Sequence, residues 1–437
     1  MSVAGELQVI VETAVGGPVP VRLRAWDGSV AGDPGAAGTL VFTDPRALRR
    51  LLWAPNQLGL ARAYVAGELD VEGDVFAVLD LPDVIARVAR HQPVSLSARE
   101  RLDAARAALA MGVLGPPPAP PAEESRRRTG RLHSLRRDAA AVSHHYDVSN
   151  DFYRLVLGPS MVYSCAYWAR PPGPGYSLDQ AQRDKCALVC AKLGLTAGAR
   201  LLDVGCGWGT LAMHAASEYG AQVVGVTLSA EQARLAAQRV EQAGLADAVQ
   251  IRVQDYRHVD DGPYDAIASV GMSEHVGSTN LPDYSTHLMG LLRPGGRLLN
   301  HAIASVRALP GPLGLRPARR QATFIDRYIF PDGQIVPLST TLDALEQAGL
   351  EVRDVEALRE HYGLTLRAWV TNLRESWDHA QQLVSPARAR AWLLYLAACA
   401  LAFEHGNLTV HQVLAVRQRG HGTSDFPLTR TQWLSHT

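Results

Sequence analysis

The feature that most constrains the fold is a series of alternating strand and helix patterns that begins near residue 195. "ARLLDVGCGWGTLAMHAASEYG" predicts a strand, a glycine turn and a helix, and "AQVVGVTLSAEQARLAAQRVEQAGL" repeats strand and helix. "VQIRVQDY" and "YDAIASVGMSEHVG" predict further strands, and "YSTHLMGLLRPGGRLLNHAIAS" predicts helix, turn and strand. Such alternation implies right-handed crossovers and a parallel sheet covered on both faces. The sequence therefore predicts a doubly wound, Rossmann-like α/β domain.

The remaining patterns divide the chain into two domains and a linker. Residues 1–115 mix short strands ("VPVRLRAWDGS", "GTLVFTD") with helices ("DPRALRRLLW", "LARAYVAGELDV", "SARERLDAARAALAMGVL"), which predicts a smaller mixed, largely helical domain. Residues 116–140, proline-rich and then arginine-rich, are interpreted as a linker. In the larger domain, residues 141–437, two more strands ("LEVRDVEALR", "VHQVLAVRQ") are predicted to flank two helices ("LTLRAWVTNLRESWDHAQQL", "PARARAWLLYLAACALAFEHG").

Composition excludes several classes of protein. The formal charge of the 437 residues is +0, which does not favour nucleic-acid binding, and 47% hydrophobic residues are ordinary for a globular protein. The five cysteines show no metal-ligand spacing, and Cys186 and Cys190 are interpreted as buried thiols on one helix face. The N-terminus lacks a signal-peptide pattern and no apolar segment reaches about 18 residues. A cytoplasmic protein without a metal site is expected.

The glycine-rich turn "LLDVGCGWGT" marks the first predicted ligand-binding strand end. In doubly wound sheets ligands bind beyond the carboxyl ends of the strands, and Gly205, Gly207 and Gly209 would permit a tight turn there. Asp203, inside the strand, would repel a pyrophosphate but suits a cationic ligand. The spacing is G-x-G-x-G, with Trp208 between the last two glycines. A nicotinamide-dependent oxidoreductase would also need an acidic residue after "VVGV", and none is present.

This pattern resembles that of class I S-adenosylmethionine (SAM) methyltransferases. The resemblance implies that the glycine loop surrounds the methionine moiety, that the segment after the second strand meets the ribose, and that "VQDY" lies beside the adenine. The chain departs from the pattern in having "TLS" where most members carry an acid. The cofactor-binding residues so implied are Asp203, Gly205, Cys206, Gly207, Trp208, Gly209, Thr227, Leu228, Ser229, Gln232, Asp255 and Tyr256.

Glu274 follows the apolar segment "YDAIASVG", and a carboxylate at the end of a buried strand requires an explanation. Over residues 140–420 the chain resembles the cyclopropane-fatty-acyl-phospholipid synthase family through eight motifs in order. They are "HHYDVSNDFY", "MVYSCAYW", "LDVGCGWG", "VGVTLSAEQ", "SVGMSEHVG", "NHAIAS", "FIDRYIFPDG" and "HYGLTLRAW". The resemblance implies methyl transfer from SAM to the cis double bond of an unsaturated phospholipid acyl chain.

The same resemblance implies how the reaction ends. Attack by the double bond leaves a carbocation, which requires a dry pocket, and a bound bicarbonate accepts the proton that leaves. The residues implied around the bicarbonate are Cys165, Glu274, His301, Tyr362 and Ile303. Glu274 and His301 are predicted to form one proton network in which Glu274 orients the base. Taken singly, Cys165 would be a buried thiol, His301 a core histidine and Tyr362 a packing residue at a strand end.

The segment "HHYDVSNDFYRLVLGPSMVYSCAYW" is predicted to cap the sheet and contact the lipid. The substrate residues implied by the resemblance are Tyr146, Asn150, Tyr153, Tyr163, Ser164 and Tyr328. The arginine run is either a solvated basic segment or a contact for anionic lipid head groups, and the resemblance favours the second. It comprises Arg126, Arg127, Arg128, Arg131, Arg136 and Arg137. A peripheral enzyme at the inner face of the membrane is expected, with a homodimer as one possible state.

Several alternatives stay open at this point. The product is a cyclopropane or, if a hydride shifts first, a 10-methylene chain that a flavin-dependent reductase could convert to 10-methyl. "GLARAYVAGELDVEG" and "LAFEHGNLTVHQVLAV" resemble the branch that forms the 10-methylene product. A non-catalytic lipid-binding protein and a methyltransferase for soluble small molecules are more distant alternatives.

Overall fold

The computed structural model divides the chain into two compact units, each built from distant segments. It describes residues 2–15, 18–54, 56–81, 113, 115–125, 137, 149–306, 323–330, 332–424 and 426–434. The smaller unit comprises Met1–Arg127, Gln321–Ile329 and Ser385–Leu401, and the larger unit comprises Arg128–Arg320, Phe330–Val384 and Ala402–Thr437. The compact units therefore do not follow the linear division predicted around residues 116–140, because two later segments group with the N-terminal region.

The smaller unit contains a four-stranded sheet of order β2-β1-β3-β4. β1 and β3 are parallel, whereas β2 and β4 pair antiparallel at the two edges. Side chains such as Leu7, Leu23, Phe42 and Leu69 form its buried core. Its elements are α1 Val3–Val15, β1 Arg22–Arg24, β2 Val30–Ala31, β3 Gly38–Phe42, α2 Arg46–Trp53, α3 Gln57–Val65, β4 Leu69–Gly73 and α4 Val75–Leu79.

Two sequence predictions in this unit need correction. The helix predicted from "LARAYVAGELDV" ends at Val65, because Gly67 adopts a φ of 71° and the following residues pair with β3 as strand β4. Residues 115–125 form neither helix nor strand, as predicted, but they are bonded to the smaller unit: Arg62 pairs with Glu124 at 2.7 Å. The helix predicted at residues 97–114 lies outside the described residues except for Val113.

The larger unit contains a seven-stranded sheet of order β10-β11-β9-β8-β5-β6-β7, which confirms the predicted doubly wound α/β fold. β5 to β9 are parallel, and β11 runs antiparallel to both of its neighbours. The strands are β5 Arg200–Val204, β6 Gln222–Thr227, β7 Val249–Val253, β8 Tyr264–Val270, β9 Leu292–Ser305, β10 Leu350–Ala357 and β11 Leu408–Arg417.

Helices cover both faces of this sheet. They are α5 Asn150–Leu157, α6 Leu178–Leu193, α7 Thr210–Tyr219, α8 Ala230–Gln242, α9 Leu281–Leu291, α11 Leu338–Gln347, α12 Arg359–Glu375, α13 Trp377–Leu383 and α15 Arg430–Leu434. Two further helices lie mainly in segments of the smaller unit, α10 Phe324–Tyr328 and α14 Pro386–Glu404.

Successive residues of β5 point to opposite faces of the sheet and enter two separate cores. Leu201 packs with α6 and α7, together with the predicted buried thiols Cys186 and Cys190, whereas Leu202 packs with α9 and α11. Each fully buried aliphatic side chain contributes about 1.5–3 kcal/mol. β5 lies between β6 and β8, so the strand order reverses there and leaves a cleft at the carboxyl ends.

Candidate active site

A cleft of about 1200 Å³, including its open mouth, lies at the carboxyl ends of the central strands. This size is ample for a small-molecule ligand. Ten of the twelve predicted cofactor residues line it: Asp203, Gly205, Cys206, Gly207, Trp208, Thr227, Leu228, Gln232, Asp255 and Tyr256.

The glycine loop is shaped by a close approach of two strand ends. The backbone N–H groups of Gly205 and Cys206 both donate to the carbonyl of Val226, at 2.9 and 3.0 Å, which ties the loop to β6. Gly205 has a φ of 78°, and a Cβ there would lie 3.0 Å from the Cγ of Met272. Only glycine adopts this positive φ without strain and leaves the Met272 side chain where it is.

Asp203 is a buried carboxylate that faces the cleft. It is 2% exposed, and its Oδ2 has no hydrogen-bond partner among the described residues. Burial raises the pKa of Asp203 to about 7, and the positive charge of Lys185 opposes the rise. Such a carboxylate suits a ligand that carries a positive charge.

The rim of the cleft beyond β7 is held by an ion pair. Arg257 donates to both oxygens of Asp255, at 2.8 and 2.7 Å. Burial alone would raise the pKa of Asp255, but the hydrogen bonds from Arg257 outweigh it and the pKa lies below its usual value. The ring of Tyr256 packs edge-on against Tyr284 at 5.3 Å. Sequence reasoning identified Asp255 and Tyr256 but missed Arg257.

The structure places two predicted cofactor residues outside the lining of the cleft. Gly209 has a φ of 79° and begins α7, and the Ser229 hydroxyl accepts from the backbone N–H of Gln232 at the start of α8. Thr227 in turn donates its hydroxyl to Gln232 Oε1 at 2.8 Å. The hydroxyl groups of Thr227 and Ser229 both stabilise this turn, and the ligand contacts predicted for them stay a prediction.

Two predicted substrate residues contact the indole of Trp208, and a third lies next to one of them. Its Nε1 donates to Asn150 Oδ1 at 2.8 Å. The ring of Tyr153 lies 4.8 Å from Trp208 and 5.8 Å from Tyr163, and Tyr163 lies 5.5 Å from Trp369. A row of aromatic rings therefore leads away from the glycine loop.

Of the other residues predicted to contact lipid, only some lie in the described part of the chain. Tyr146 lies outside the described residues, as do all members of the arginine run except Arg137. The Arg137 guanidinium pairs with Asp332 at 2.7 Å. Tyr328 belongs to the smaller unit, where its hydroxyl donates to Glu124 at 3.3 Å.

Glu274 lies in a short 3-10 turn, Ser273–His275, after β8, and reaches the neighbouring strand β9. The backbone N–H of Ile303 donates to Glu274 Oε1 at 2.8 Å. His301, two residues earlier in the same strand, accepts from the N–H of Gly271 through its carbonyl. Neither Glu274 Oε2 nor His301 Nε2 has a hydrogen-bond partner within the described ranges. The fold thus joins Glu274 to Ile303, two residues along β9 from His301.

Burial shifts the two titratable groups in opposite directions. It raises the pKa of Glu274 to about 7, against the stabilising hydrogen bond from Ile303. It lowers the pKa of His301 well below its usual value, and the charges of Lys185 and Lys192 add to this effect. The imidazole is therefore neutral near pH 7, and the carboxyl group exchanges protons in the same range, as expected of groups at a reacting site.

Gln412, which sequence reasoning missed, contacts the imidazole from the next strand. It is 0% exposed, is paired with His301 in the ladder between β9 and β11, and holds its Nε2 3.3 Å from His301 Nδ1. Because an amide N–H can only donate, this contact favours the tautomer in which Nδ1 accepts and the ring proton lies on Nε2, where it could be donated to an anion. The available signal was a glutamine within the apolar strand "VHQVLAV".

Cys165 and Tyr362 are connected to Ile303 by hydrogen bonds that pass through Leu358. The Cys165 thiol and the backbone N–H of Tyr362 both donate to the Leu358 carbonyl, at 3.7 and 3.1 Å. Leu358 N–H donates to Val410, which is paired with Ile303. Burial raises the pKa of the Cys165 thiol, which stays protonated. Tyr362 lies in the first turn of α12, not at a strand end.

Comparison with known proteins identifies the family of this chain. The sequence model for mycolic acid cyclopropane synthetase matches residues 133–413, well over half of the chain. The chain belongs to this family. Family members and their relatives are SAM-dependent lipid methyltransferases and cyclopropane synthases, and this protein is a SAM-dependent methyltransferase of that type.

Three relatives show how far the similarity extends. A probable fatty acid methyltransferase of Mycobacterium tuberculosis is 42% identical over 442 residues, 99% of this chain and 98% of the relative. The tuberculostearic acid methyltransferase UfaA1 of the same organism is 34% identical over 92% of this chain and 88% of its own. The cyclopropane-fatty-acyl-phospholipid synthase of Escherichia coli is 37% identical over 66% of this chain and 71% of its own.

Solved structures of cyclopropane synthases share the fold. MmaA2 from Mycobacterium tuberculosis gives a TM-score of 0.59 with 31% identity, covering 64% of this chain and 98% of that chain. Mycolic acid cyclopropane synthase CmaA1, complexed with SAH and CTAB, gives 0.58 with 33% identity and the same coverage. The predicted Rossmann-like methyltransferase fold is confirmed.

Proposed function

We propose that this protein transfers the methyl group of SAM to the cis double bond of an unsaturated phospholipid acyl chain and closes a cyclopropane ring. The observation that carries the proposal is the hydrogen bond that joins buried Glu274, after β8, to Ile303 of β9, two residues from buried His301. The adjoining cleft supplies the site for the methyl donor. A proton must leave the product, and a buried site with unmatched polar atoms can direct where it goes.

The cleft fits SAM, which supplies an electrophilic methyl group when bound. The unmatched Oδ2 of Asp203 would accept from the ammonium group, and the loop from Gly205 to Gly207 would lie along the methionine chain. The side chains after β7, Asp255 and Tyr256, would lie beside the adenine. The fit of the cleft to SAM rests on the negative charge of Asp203. The glycine loop alone gives no reason for a carboxylate inside β5, whereas a positively charged ligand does.

The group around Glu274 fits a small oxyanion such as bicarbonate, which would supply a proton acceptor when bound. His301 Nε2 is a donor, and Glu274 Oε2, which has no partner among the described residues, is an acceptor for a hydroxyl. The thiol of Cys165 is protonated and would become a further donor by turning its proton away from the Leu358 carbonyl. The N–H of Ile303 fixes the other oxygen of Glu274, so this carboxylate can orient a base. In the proposal these side chains hold and direct the base, and the neutral imidazole adds no charge.

The acyl chain is assigned to the aromatic row that begins at Trp208. Tyr153 is fully buried, Tyr163 follows it, and Trp369 continues the row to Tyr362 at 6.1 Å. Aromatic surface of this kind excludes water, which matters because a cation formed on the lipid would otherwise be captured by water.

A second product is favoured by one specific comparison. UfaA1, named as a tuberculostearic acid methyltransferase, aligns with 92% of this chain, whereas the cyclopropane synthase of Escherichia coli aligns with 66%. A hydride shift before the same proton loss would give a 10-methylene chain, which a flavin-dependent reductase could reduce. The residues around Glu274 serve both routes.

The proposal also includes peripheral association with a membrane and assembly as a homodimer. No helix among the described residues is both long and apolar enough to cross a bilayer. A phospholipid substrate would then require peripheral contact with the membrane at its inner face. Arg137 is engaged by Asp332, so lipid contact would depend on the other arginines of the run.

The test is incubation of the protein with methyl-deuterated SAM and vesicles of oleoyl phospholipid. We expect a fatty acid that has gained one carbon and retains two deuterium atoms, because one deuteron leaves. Proton NMR of the product made with unlabelled SAM distinguishes cyclopropane from exocyclic methylene hydrogens. Free oleic acid serves as the control for a phospholipid requirement. Absence of any deuterated acyl product with phospholipid would contradict the proposed function.

A further inference from the structure

The chain has only two lysines, and their surroundings differ sharply although both lie buried in α6. Lys192, 1% exposed, contacts two carboxylates, Asp354 at 3.6 Å and Glu356. Lys185, 2% exposed, has no carboxylate oxygen within 4 Å of its Nζ in the part of the chain that the structure describes. A buried ammonium group without a counter-ion is unfavourable. Lys185 therefore requires another explanation, and it lines the cleft.

The contact that Lys185 makes sets the direction of a neighbouring hydroxyl. Its Nζ donates to Ser164 Oγ at 3.1 Å. An ammonium group has donors only, so the Ser164 hydroxyl accepts here and its own proton must be donated elsewhere. No protein acceptor for that proton lies within the described ranges, and Ser164 lines the cleft.

Helix α6 holds Ser164 at a second point. Gln182, one turn before Lys185, donates from Nε2 to the Ser164 carbonyl at 3.0 Å. Gln182 is fully buried, so both the backbone and the side chain of Ser164 are held from the interior. The hydroxyl is thus held as a donor for a ligand and is not free to rotate into the core.

We propose that Lys185 is a positioning residue for the carboxylate of SAM, which it serves by directing the Ser164 hydroxyl and by adding a positive charge. The inference rests on the proposed placement of SAM in this cleft and deepens it. The carboxylate would meet Ser164 and the charge of Lys185, and the ammonium group would meet Asp203. The cleft thereby matches both charges of the amino-acid end of the ligand. Lys185 also opposes the rise in the pKa of Asp203.

A structural role for Lys185 makes a different prediction. If its ammonium group only stabilised α6 or compensated Asp203, its removal would weaken every adenosyl ligand. If it acts on the carboxylate through Ser164, removal would weaken only ligands that carry a carboxylate. SAM and decarboxylated SAM separate these roles, since the second ligand keeps the ammonium and sulfonium groups.

The experiment is calorimetric titration of wild type, Lys185→Met, Ser164→Ala and the double variant with both ligands. We expect Lys185→Met to weaken SAM at least tenfold and decarboxylated SAM less than twofold. The Ser164→Ala loss should be smaller and should not add to that of Lys185→Met. Lys192→Met, in the same helix, is the matched control and should leave both affinities unchanged.

Two outcomes would overturn the inference: an unchanged affinity of Lys185→Met for SAM, or equal losses for both ligands. If a lysine variant does not fold, Ser164→Ala carries the same test, because selective loss of SAM supports the inference and equal loss opposes it. Failure of the wild type to bind SAM would instead contradict the proposed function.

Discussion

The cofactor cleft and the site around Glu274 each place a buried carboxyl group at the end of one of two adjacent strands, but they hold it differently. Asp203 in β5 and Glu274 after β8 both have a pKa raised to about 7 by burial. Asp203 faces an open cleft with the charge of Lys185 nearby. Glu274 is tied by one oxygen to the backbone of β9. In the proposed function, this shared electrostatic property would serve the binding of a cationic ligand at Asp203 and the orientation of a base at Glu274.

We infer from this comparison that binding of the methyl donor and removal of the proton can be altered independently. The cleft is lined by a glycine loop and side chains from three strand ends, whereas Glu274, His301 and Gln412 are held by the strands themselves. Changes at one carboxyl group should leave the function of the other intact, and the following predictions test that separation.

The largest effect is expected for Glu274→Gln. The amide keeps the contact to Ile303 but cannot act as an anionic acceptor, so turnover should fall about 1000-fold. SAM affinity should stay within twofold, since Glu274 does not line the cleft. Turnover is measured with oleoyl phospholipid and affinity by calorimetry. Wild-type turnover in the variant would show that Glu274 has no part in the reaction.

The same variant should be more stable than the wild type at alkaline pH. Burial raises the pKa of Glu274 from 4.5 to about 7, so its ionisation destabilises the folded state as pH rises through this range. The stability penalty is absent below pH 4.5 and complete above pH 7, where it amounts to about 3 kcal/mol. Urea denaturation at pH 8 and pH 4.5 measures it. A gain of equal size at both pH values would exclude ionisation as its cause.

Asp203→Asn should weaken SAM about 30-fold, equivalent to about 2 kcal/mol for loss of a charged hydrogen-bond acceptor. At saturating SAM, turnover should change less than threefold, because the group around Glu274 is unaltered. Calorimetry and initial rates at varied SAM concentration separate the two. A fall in saturated turnover comparable to that of Glu274→Gln would break the distinction between the two regions.

The smallest effect is expected for Gln412→Leu, which removes the partner of His301 Nδ1. Turnover should fall about tenfold, the effect of one lost buried hydrogen bond, with SAM affinity unchanged. Gln412→Glu should instead shift the acid limb of the pH–rate profile upward, because a carboxylate beside Nδ1 favours the protonated ring and raises the pKa of His301. If the pH–rate profile of the glutamate variant is unshifted, Gln412 does not influence the protonation of His301 and serves only in packing.

Prediction from sequence worked best where the signal is local and periodic. The alternation from residue 195 onward predicted the parallel strands, and Asp203 and the glycines predicted the cleft at their ends. It failed at "LARAYVAGELDV", where helix-forming residues continue past the turn at Gly67 into a strand that needs β3 as its partner. It also did not show that Gly209 and Ser229 precede the first turns of helices, because spacing does not reveal which groups a turn itself uses.

Residues whose role depends on distant partners could not be found from the sequence. Gln412 lies 111 positions from His301, and only the register of β9 and β11 pairs them. Lys185 looked like any other basic residue until helix α6 placed it, buried and without a carboxylate partner among the described residues, beside Ser164. In both cases the deciding quantity is burial, which no local pattern reports.

By itself, the sequence determined the order of strands and helices, the glycine turn and the presence of a carboxylate at each of two strand ends. It could do so because backbone preference and hydrophobic periodicity act over a few residues. Only the tertiary structure decided which oxygen of Glu274 is held, which nitrogen of His301 contacts Gln412, and which of two buried lysines has no carboxylate partner among the described residues. Those properties depend on the exclusion of water and on contacts between strands far apart in the chain.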